Sequence, residues 1–315
     1  MKRVAAVDCG TNSIRLLVAD VDPATGELTE LDRRMQIVRL GQGVDETGRL
    51  APEALRRTFA ACREYAAVIK ELGAEKVRFV ATSASRDAEN REEFTRGVLD
   101  ILGVEPEVIS GGQEAEFSFT GATKELVGGD LAKPYLVVDI GGGSTEFVVG
   151  DAHVVAAHSV DIGCVRLTER HLVQDGEVVD PPGEAQIQAI RDDIVEALDL
   201  VTQLVPITGA RTLVGLAGSV TTVAAIALGL EEYDSAAIHH ARISYEQVSE
   251  ITTRLLHSTH AERATIPAIH PGRVDVIASG ALILSTIMDW IGAREVVVSE
   301  HDILDGIAWS CALDG

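Results

Sequence analysis

Two segments of this chain place the same chemically useful residue types at the same spacing. Asp8-Cys9-Gly10-Thr11-Asn12-Ser13-Ile14-Arg15 aligns without a gap with Asp139-Ile140-Gly141-Gly142-Gly143-Ser144-Thr145-Glu146, at a constant offset of 131 residues (139 less 8, 144 less 13). Glycines admit positive φ and let backbone N–H groups approach an anion closely. Ser13 and Ser144 add a hydroxyl donor to each turn. Asp8 and Asp139 close an apolar run, where a carboxylate can hold Mg²⁺ directly or through water. The chemistry suggested is the gripping of phosphate. One mismatch divides the labour: Arg15 can clamp phosphate oxygens, whereas its counterpart Glu146 can hold water or metal.

Glu114 follows the turn Ser110-Gly111-Gly112-Gln113 at a predicted helix start. A carboxylate there can act as general base on an attacking water, or it can simply complement the helix dipole. Gly218 and Ser219, in Ala217-Gly218-Ser219-Val220-Thr221-Thr222, open an alanine-rich segment. Its N-terminus can receive phosphate through backbone N–H groups and hydroxyls, or be an ordinary cap. Arg86 and Arg166 lie in polar stretches after apolar ones, and taken alone each reads as a solvated loop arginine.

These residues need elements to hold them. Each copy of the repeat is an apolar run, a glycine turn and a second apolar run, which predicts strand, tight turn, strand. One hairpin in each half predicts two related lobes facing each other across a cleft. Apolar spacing predicts a helix over Pro52–Leu72, with Pro52 in its first turn and Gly73 as its stop. A strand over Val77–Ala81 follows, then a helix whose Asn90 and Glu93 form a capping box and which ends near Gly103. Phe117, Gly121 and Leu126 predict a helix crossing between lobes and ending near Gly128-Gly129. In the second half, strands are expected at Tyr135–Asp139, His153–Val160, Thr212–Leu216 and Glu295–Val298. Helices are expected at Glu184–Leu204, from Ala217, from about Glu246, from about Val274 and from about Asp302. The last returns to the first lobe.

Composition narrows the function classes. With 315 residues and 46% apolar content, the chain suits two domains with sizeable cores. A net charge of −22 argues against nucleic acid or an anionic membrane surface as partner, and requires any phosphate site to be locally basic. No apolar run reaches transmembrane length and no basic-then-apolar leader is visible, so a cytoplasmic location is expected. Cys9, Cys62, Cys164 and Cys311 have no CxxC spacing and read as reduced thiols. His239, His240, His260 and His270 read as polar loop residues at no metal-ligand spacing. There is no P-loop GxxxxGK[ST] and no complete GxGxxG.

Eight segments together resemble the exopolyphosphatase / guanosine pentaphosphate phosphatase (Ppx/GppA) family of the actin–sugar kinase–Hsp70 superfamily. They are DCGTNSIR at Asp8, TSASRDAEN at Thr82, ISGGQEAEF at Ile109, VVDIGGGSTEF at Val137, DIGCVRLTE at Asp161, GLAGSVTT at Gly215, RVDVIASGALIL at Arg273 and SEHDILDG at Ser299. They occur in family order across nearly the whole chain. The resemblance implies an α/β fold of two ribonuclease H-like (actin-like ATPase) lobes with a cleft between them, residues 1–126 plus 299–315 forming one and 127–298 the other.

It further implies Glu114 as catalytic base, with Glu146 assisting at water or metal, and Asp139 in the metal site with Asp8 as a further candidate. Ser13, Arg15, Arg86, Gly141, Gly142, Gly143, Ser144, Gly218 and Ser219 would surround the phosphates, with Asn12 and Arg166 as additional candidates. The implied cofactor is Mg²⁺ or Mn²⁺, with a monovalent cation admitted, and homodimers occur in the family. The implied reaction is attack of water on a terminal phosphorus. Leu216 stands where the family often has Thr or Ser, and Cys9 replaces a usual Ile. Larger members carry a C-terminal helical HD domain whose metal ligands the short tail after His301-Asp302 cannot supply. Short polyphosphates, or nucleotides with terminal phosphates, are therefore expected over long chains. Three readings stay open: an end-acting polyphosphatase, a guanosine pentaphosphate 5′-phosphohydrolase, and a non-catalytic alarmone or nucleotide sensor. A sugar or carboxylate kinase is a more distant fourth.

Overall fold

The computed structural model describes residues 1–124, 126, 130–174 and 177–313. The chain divides into two compact units, Met1–Gly121 with Ile303–Gly315, and Ala122–Asp302.

The first unit is built on the strands β1 (Lys2–Cys9), β2 (Ser13–Val21), β3 (Leu28–Ile37), β4 (Lys76–Ala81) and β5 (Glu107–Val108), in the order β3-β2-β1-β4-β5. β1 runs antiparallel to β2 and parallel to β4. Its apolar run is continuous because both faces are covered. Ala5, Val7 and Cys9 pack in one core with Leu55, Cys62, Tyr65 and Ile69 of the helix Pro52–Leu72. Val4 and Ala6 pack on the other side with Ile307, Ala308 and Cys311 of the closing helix Ile303–Leu313. Helix Pro52–Leu72 has Pro52 in its first turn and ends at Gly73, whose φ of 70° lets its N–H reach the Ile69 carbonyl.

The second unit has β6 (Tyr135–Ile140), β7 (Thr145–Gly150), β8 (Val154–Val160), a short β9–β10 ladder (Val173–Gln174 and Glu177–Val178), β11 (Thr212–Leu216), β12 (Arg242–Ser244) and β13 (Glu295–Val298). Its main sheet runs β12-β13-β11-β6-β7-β8. Read from the other edge, β8-β7-β6-β11-β13 repeats the order and sense of β3-β2-β1-β4-β5. The two units are thus α/β folds with the ribonuclease H-like sheet order. One core unites Leu136, Val138 and Ile140 of β6 with Ile190, Ile194 and Leu198 of the helix Glu184–Leu204, and with Leu282 and Ile283 of the helix Ile277–Ile291.

Several local expectations need correction. Asn90 precedes the helix Arg91–Leu102 but makes no side-chain cap. Its amide bonds mainly to Leu50, accepting from the Leu50 N–H at 2.8 Å and donating to the Leu50 carbonyl at 3.1 Å, and meets Glu93 only through its side chain at 3.5 Å. Among the described residues, the helix expected to run to Gly128-Gly129 spans Gly111–Thr123; Gly128 and Gly129 lie outside the described residues. The helix expected from Val274 begins at Ile277, after a 3₁₀ turn at Pro271–Arg273. β3 and β12 have no apolar alternation to announce them. β3 is an edge strand rich in charge, with Arg33 paired to Glu30 and Arg34 to Asp32, a composition suited to an unshared edge.

Among the described residues no helix is long and apolar enough to cross a membrane, and no disulfide joins the cysteines.

Candidate active site

In the first unit the β1–β2 turn is closed by Gly10 N–H to the Ser13 carbonyl at 2.9 Å. The register places Asp8 directly opposite Arg15. Residues opposite on an antiparallel pair share a face, and here they form an ion pair. Arg15 Nη2 and Nε reach Asp8 Oδ2 at 2.7 and 3.0 Å. Asp8 is buried, while Arg15 keeps a fifth of its side chain exposed. The turn is pinned from outside the hairpin. The Asn12 carbonyl accepts from the Val38 and Arg39 N–H groups, and Thr11 Oγ1 lies 2.8 Å from Ser83 Oγ.

Ser83 opens the short helix Ser83–Asp87, so Arg86 sits on a helix rather than in the loop expected of it. Arg86 Nη1 donates to Glu114 Oε2 and to the Ile109 carbonyl, both at 3.1 Å. Glu114 is 8% exposed. A carboxylate so buried needs a compensating partner, and Arg86 supplies it. The helix carrying Glu114 is fixed at its start by a capping box: Ser110 Oγ accepts from the Gln113 N–H, while Gln113 Oε1 accepts from the Ser110 N–H.

The second unit repeats the hairpin. Gly141 N–H reaches the Ser144 carbonyl at 3.0 Å, and Asp139 faces Glu146 where Asp8 faces Arg15. Here the cross-strand pair is two carboxylates, Asp139 at 7% and Glu146 at 1% exposure. Like charges directly opposite are unfavourable, and a divalent cation between them would lower that cost. On the neighbouring strand Ser159 faces Glu146, and its hydroxyl donates to Glu146 Oε1 at 2.7 Å.

The Gly141-Gly142-Gly143 turn is braced by the helix Cys164–Leu172. The Cys164 N–H reaches the Gly141 carbonyl, the Val165 and Arg166 N–H groups reach that of Gly142, and Arg166 Nε reaches that of Gly143 at 2.7 Å. Thr145 Oγ1 donates to the Ile162 carbonyl. With the carbonyls held on this side, the Gly142 and Gly143 N–H groups have no acceptor among the described residues. Unshared, adjacent N–H groups in a turn are an anion cradle. Arg166 is therefore on a helix and touches the turn through a carbonyl, which sequence alone did not indicate.

Of the two purposes expected of the turn glycines, positive φ is not used. Neither Gly10 nor Gly141 has a left-handed φ. The demanding glycine is Gly163: a Cβ there would lie 2.3 Å from the Gly142 carbonyl oxygen, so only glycine lets the bracing helix approach the turn.

Gly218 and Ser219 stand in the first turn of the helix Ala217–Ala227. A Cβ on Gly218 would strike the Arg273 guanidinium, which donates to the Gly218 carbonyl at 3.3 Å. Ser219 is buried, its Oγ facing Gly280 and the Cys164 thiol. Burial pushes the Cys164 thiol up from its ordinary pKa.

Sequence reasoning missed Ser159, whose register is not readable from spacing, and Arg273, whose partner is 55 residues away. It also missed that His239 stacks on His240 at 3.7 Å and lies against His301 at 4.6 Å, while His260 begins a short helix, His260–Arg263.

The Ppx/GppA phosphatase family model matches residues 17–314. The chain is 49% identical to the protein named Exopolyphosphatase 2 of Mycobacterium tuberculosis, covering 99% of both chains. Among solved structures it resembles an exopolyphosphatase-like protein at 45% identity, with a TM-score of 0.93 and coverage of 98% of this chain and 97% of that one. A Ppx/GppA family member from Aquifex aeolicus superposes with a TM-score of 0.81 at 31% identity, over 99% and 98% of the two chains.

Proposed function

Since the chain belongs to the Ppx/GppA phosphatase family, we propose that it hydrolyses the terminal phosphate of inorganic polyphosphate by Mg²⁺-assisted attack of water, with short chains favoured. The observation that carries this reading is the pair of matched hairpins with unmatched charges, Asp8–Arg15 in one and Asp139–Glu146 in the other. One offers a guanidinium for phosphate oxygens, the other two carboxylates for a cation.

Asp139 and Glu146 fit a divalent cation. Among the described residues no cluster of three or more His, Cys, Asp or Glu side chains could hold a metal. Two carboxylates, with waters and substrate phosphates completing the shell, is the arrangement Mg²⁺ favours over an all-protein cage. Bound there, Mg²⁺ supplies neutralisation of charge on the phosphoryl oxygens and the leaving group.

Glu114 takes the proton of the attacking water, with Arg86 holding its carboxylate in place. The water oxygen bonds to the terminal phosphorus, the bridging P–O bond breaks, and the chain leaves one phosphate shorter. Arg15, Ser13, Asn12, the turn Gly141 to Ser144 and the first turn at Gly218 grip phosphate oxygens. Ser219 contributes its backbone N–H, since its hydroxyl faces Gly280. Arg166 acts through the Gly143 carbonyl and is a positioning residue. The net charge of −22 disfavours a long polyanion lying along the surface, which supports the preference for short chains.

The test is phosphate release from tripolyphosphate, long polyphosphate, guanosine pentaphosphate and ATP, each with Mg²⁺ and with EDTA. Release from tripolyphosphate that EDTA abolishes is expected. Release from guanosine pentaphosphate alone would move the reading to a nucleotide phosphohydrolase, and no release from any of the four would overturn it.

A further inference from the structure

Three strands line up across each hairpin, and they differ at one position beyond the charge switch. In the first unit the register row is Asp8, Arg15 and Met35. In the second it is Asp139, Glu146 and Ser159. Rows of directly opposed residues share a face of the sheet. The middle residue of the first row is an arginine held by a carboxylate, and a thioether side chain stands on its far side. The middle residue of the second row is a glutamate, and a hydroxyl stands in the equivalent place. The Ser159 hydroxyl donates to Glu146 Oε1 at 2.7 Å, while the glutamate itself is 1% exposed.

We propose that Ser159 is a positioning residue that fixes the Glu146 carboxylate for a divalent cation shared with Asp139. The inference rests on the reading of Asp139 and Glu146 as a cation pair. The physical reason is the neutrality of the donor. Arg15 on Asp8 and Arg86 on Glu114 orient their carboxylates and also cancel their charge. The Ser159 hydroxyl orients one oxygen of Glu146 without itself placing a positive charge beside it. A serine is also short enough to reach across one strand spacing without filling the face that the carboxylates occupy. Groups that hydrogen-bond to a ligating carboxylate fix its rotamer, and losing one typically costs roughly 10- to 100-fold in metal affinity.

The test is direct Mn²⁺ binding to the full chain without substrate, followed by electron paramagnetic resonance of the free ion, for the parent, Ser159→Ala, Ser159→Thr, Ser159→Val and Glu146→Gln. Threonine keeps the hydroxyl on a β-branched frame suited to a strand, and valine keeps the frame without the hydroxyl. This pair isolates the hydrogen bond even if alanine disturbs folding. We expect Ser159→Ala and Ser159→Val to weaken Mn²⁺ binding by about tenfold or more, with Ser159→Thr within about threefold of the parent. If Glu146→Gln loses Mn²⁺ while Ser159→Ala and Ser159→Val bind as the parent does, the role of Ser159 is overturned and the cation pair stands. If Glu146→Gln also binds Mn²⁺ as the parent does, the cation pair itself is overturned, and Ser159 with it.

Discussion

Arg15 grips a single oxygen of Asp8, with Nη2 at 2.7 Å and Nε at 3.0 Å from Oδ2. That contact gives Asp8 a cationic cross-strand neighbour, whereas Asp139, its counterpart in the repeat, faces Glu146. A carboxylate oxygen that accepts from two N–H groups of one guanidinium fixes the orientation of that guanidinium. Asp8→Asn is therefore expected to raise KM for polyphosphate by about tenfold, in line with ~1.4 kcal/mol for a charge-assisted contact. It should leave the half-saturating Mg²⁺ concentration unchanged. A shift in the Mg²⁺ requirement at constant KM would place Asp8 in the metal site instead.

Glu114→Gln keeps the shape of the side chain and removes the base. It should lower kcat by at least about a hundredfold, the scale of a positioned acid–base group, with little change in melting temperature. Activity within a few-fold of the parent, measured by phosphate release at saturating substrate, would refute the assignment. Arg86→Ala should be damaging in a second way. It leaves a buried carboxylate without its ion pair and an Ile109 carbonyl without its donor, so both kcat and thermal stability should fall.

Glu146→Gln should lower kcat by about a hundredfold or more and raise the half-saturating Mg²⁺ concentration. The cause is local: Ser159 can still donate to the amide oxygen, but one of the two negative charges of the Asp139–Glu146 pair is gone. A kinetic titration of Mg²⁺ at fixed polyphosphate separates this outcome from a simple loss of folding, which circular dichroism would report.

Gly163→Ala should damage the turn without removing any polar group. The new Cβ would lie 2.3 Å from the Gly142 oxygen, and both partners are backbone, so neither can swing away. A cost of about 1–3 kcal/mol is expected, together with a raised KM, because the helix that holds the turn's carbonyls must move. Gly209→Ala is the matched control, since nothing lies within 4 Å of its Cβ position. It should stay within ~0.5 kcal/mol of the parent in urea unfolding. Equal effects from the two substitutions would contradict the bracing role of the helix.

The first-unit core predicts an alkaline limit to stability. Burial pushes the Cys62 thiol from 9.0 up to about 12, and burial likewise raises Cys9 and the Tyr65 hydroxyl, which donates to the Ile14 carbonyl at 2.9 Å. A raised folded-state pKa means the folded chain binds more protons than the unfolded one above pH 9. The stability tied to these groups is complete below about pH 9 and is lost as pH rises towards 12. The urea midpoint should fall steadily from pH 9 to 11, less steeply in Cys62→Ala. A midpoint constant over that range would contradict it.

Much of the fold was readable from the chain. Helices Pro52–Leu72 and Glu184–Leu204 and strands Thr212–Leu216 and Glu295–Val298 stand where apolar period, proline and glycine placed them. Those signals are local, because each depends on side chains within one or two turns. β3 and β12 were not readable, because an edge strand is defined by its partner and not by its own pattern. Asn90 forms no cap while Ser110 does, because an asparagine amide can serve a distant loop as well as the next helix turn. The histidines at 239, 240 and 301 show the same limit.

For the site, the 131-residue repeat by itself determined that two glycine hairpins exist and that Arg15 and Glu146 differ in charge at equivalent places. The family resemblance of the sequence supplied Glu114. Only the tertiary structure decided what each of these residues touches: Arg15 on Asp8, Arg86 on Glu114, Ser159 on Glu146, and the helix after Gly163 against the glycine turn. Residue types and spacing are properties of one segment. A hydrogen bond joins segments whose register is set by packing along the whole sheet, and a one-residue slip of β8 would turn Ser159 to the opposite face.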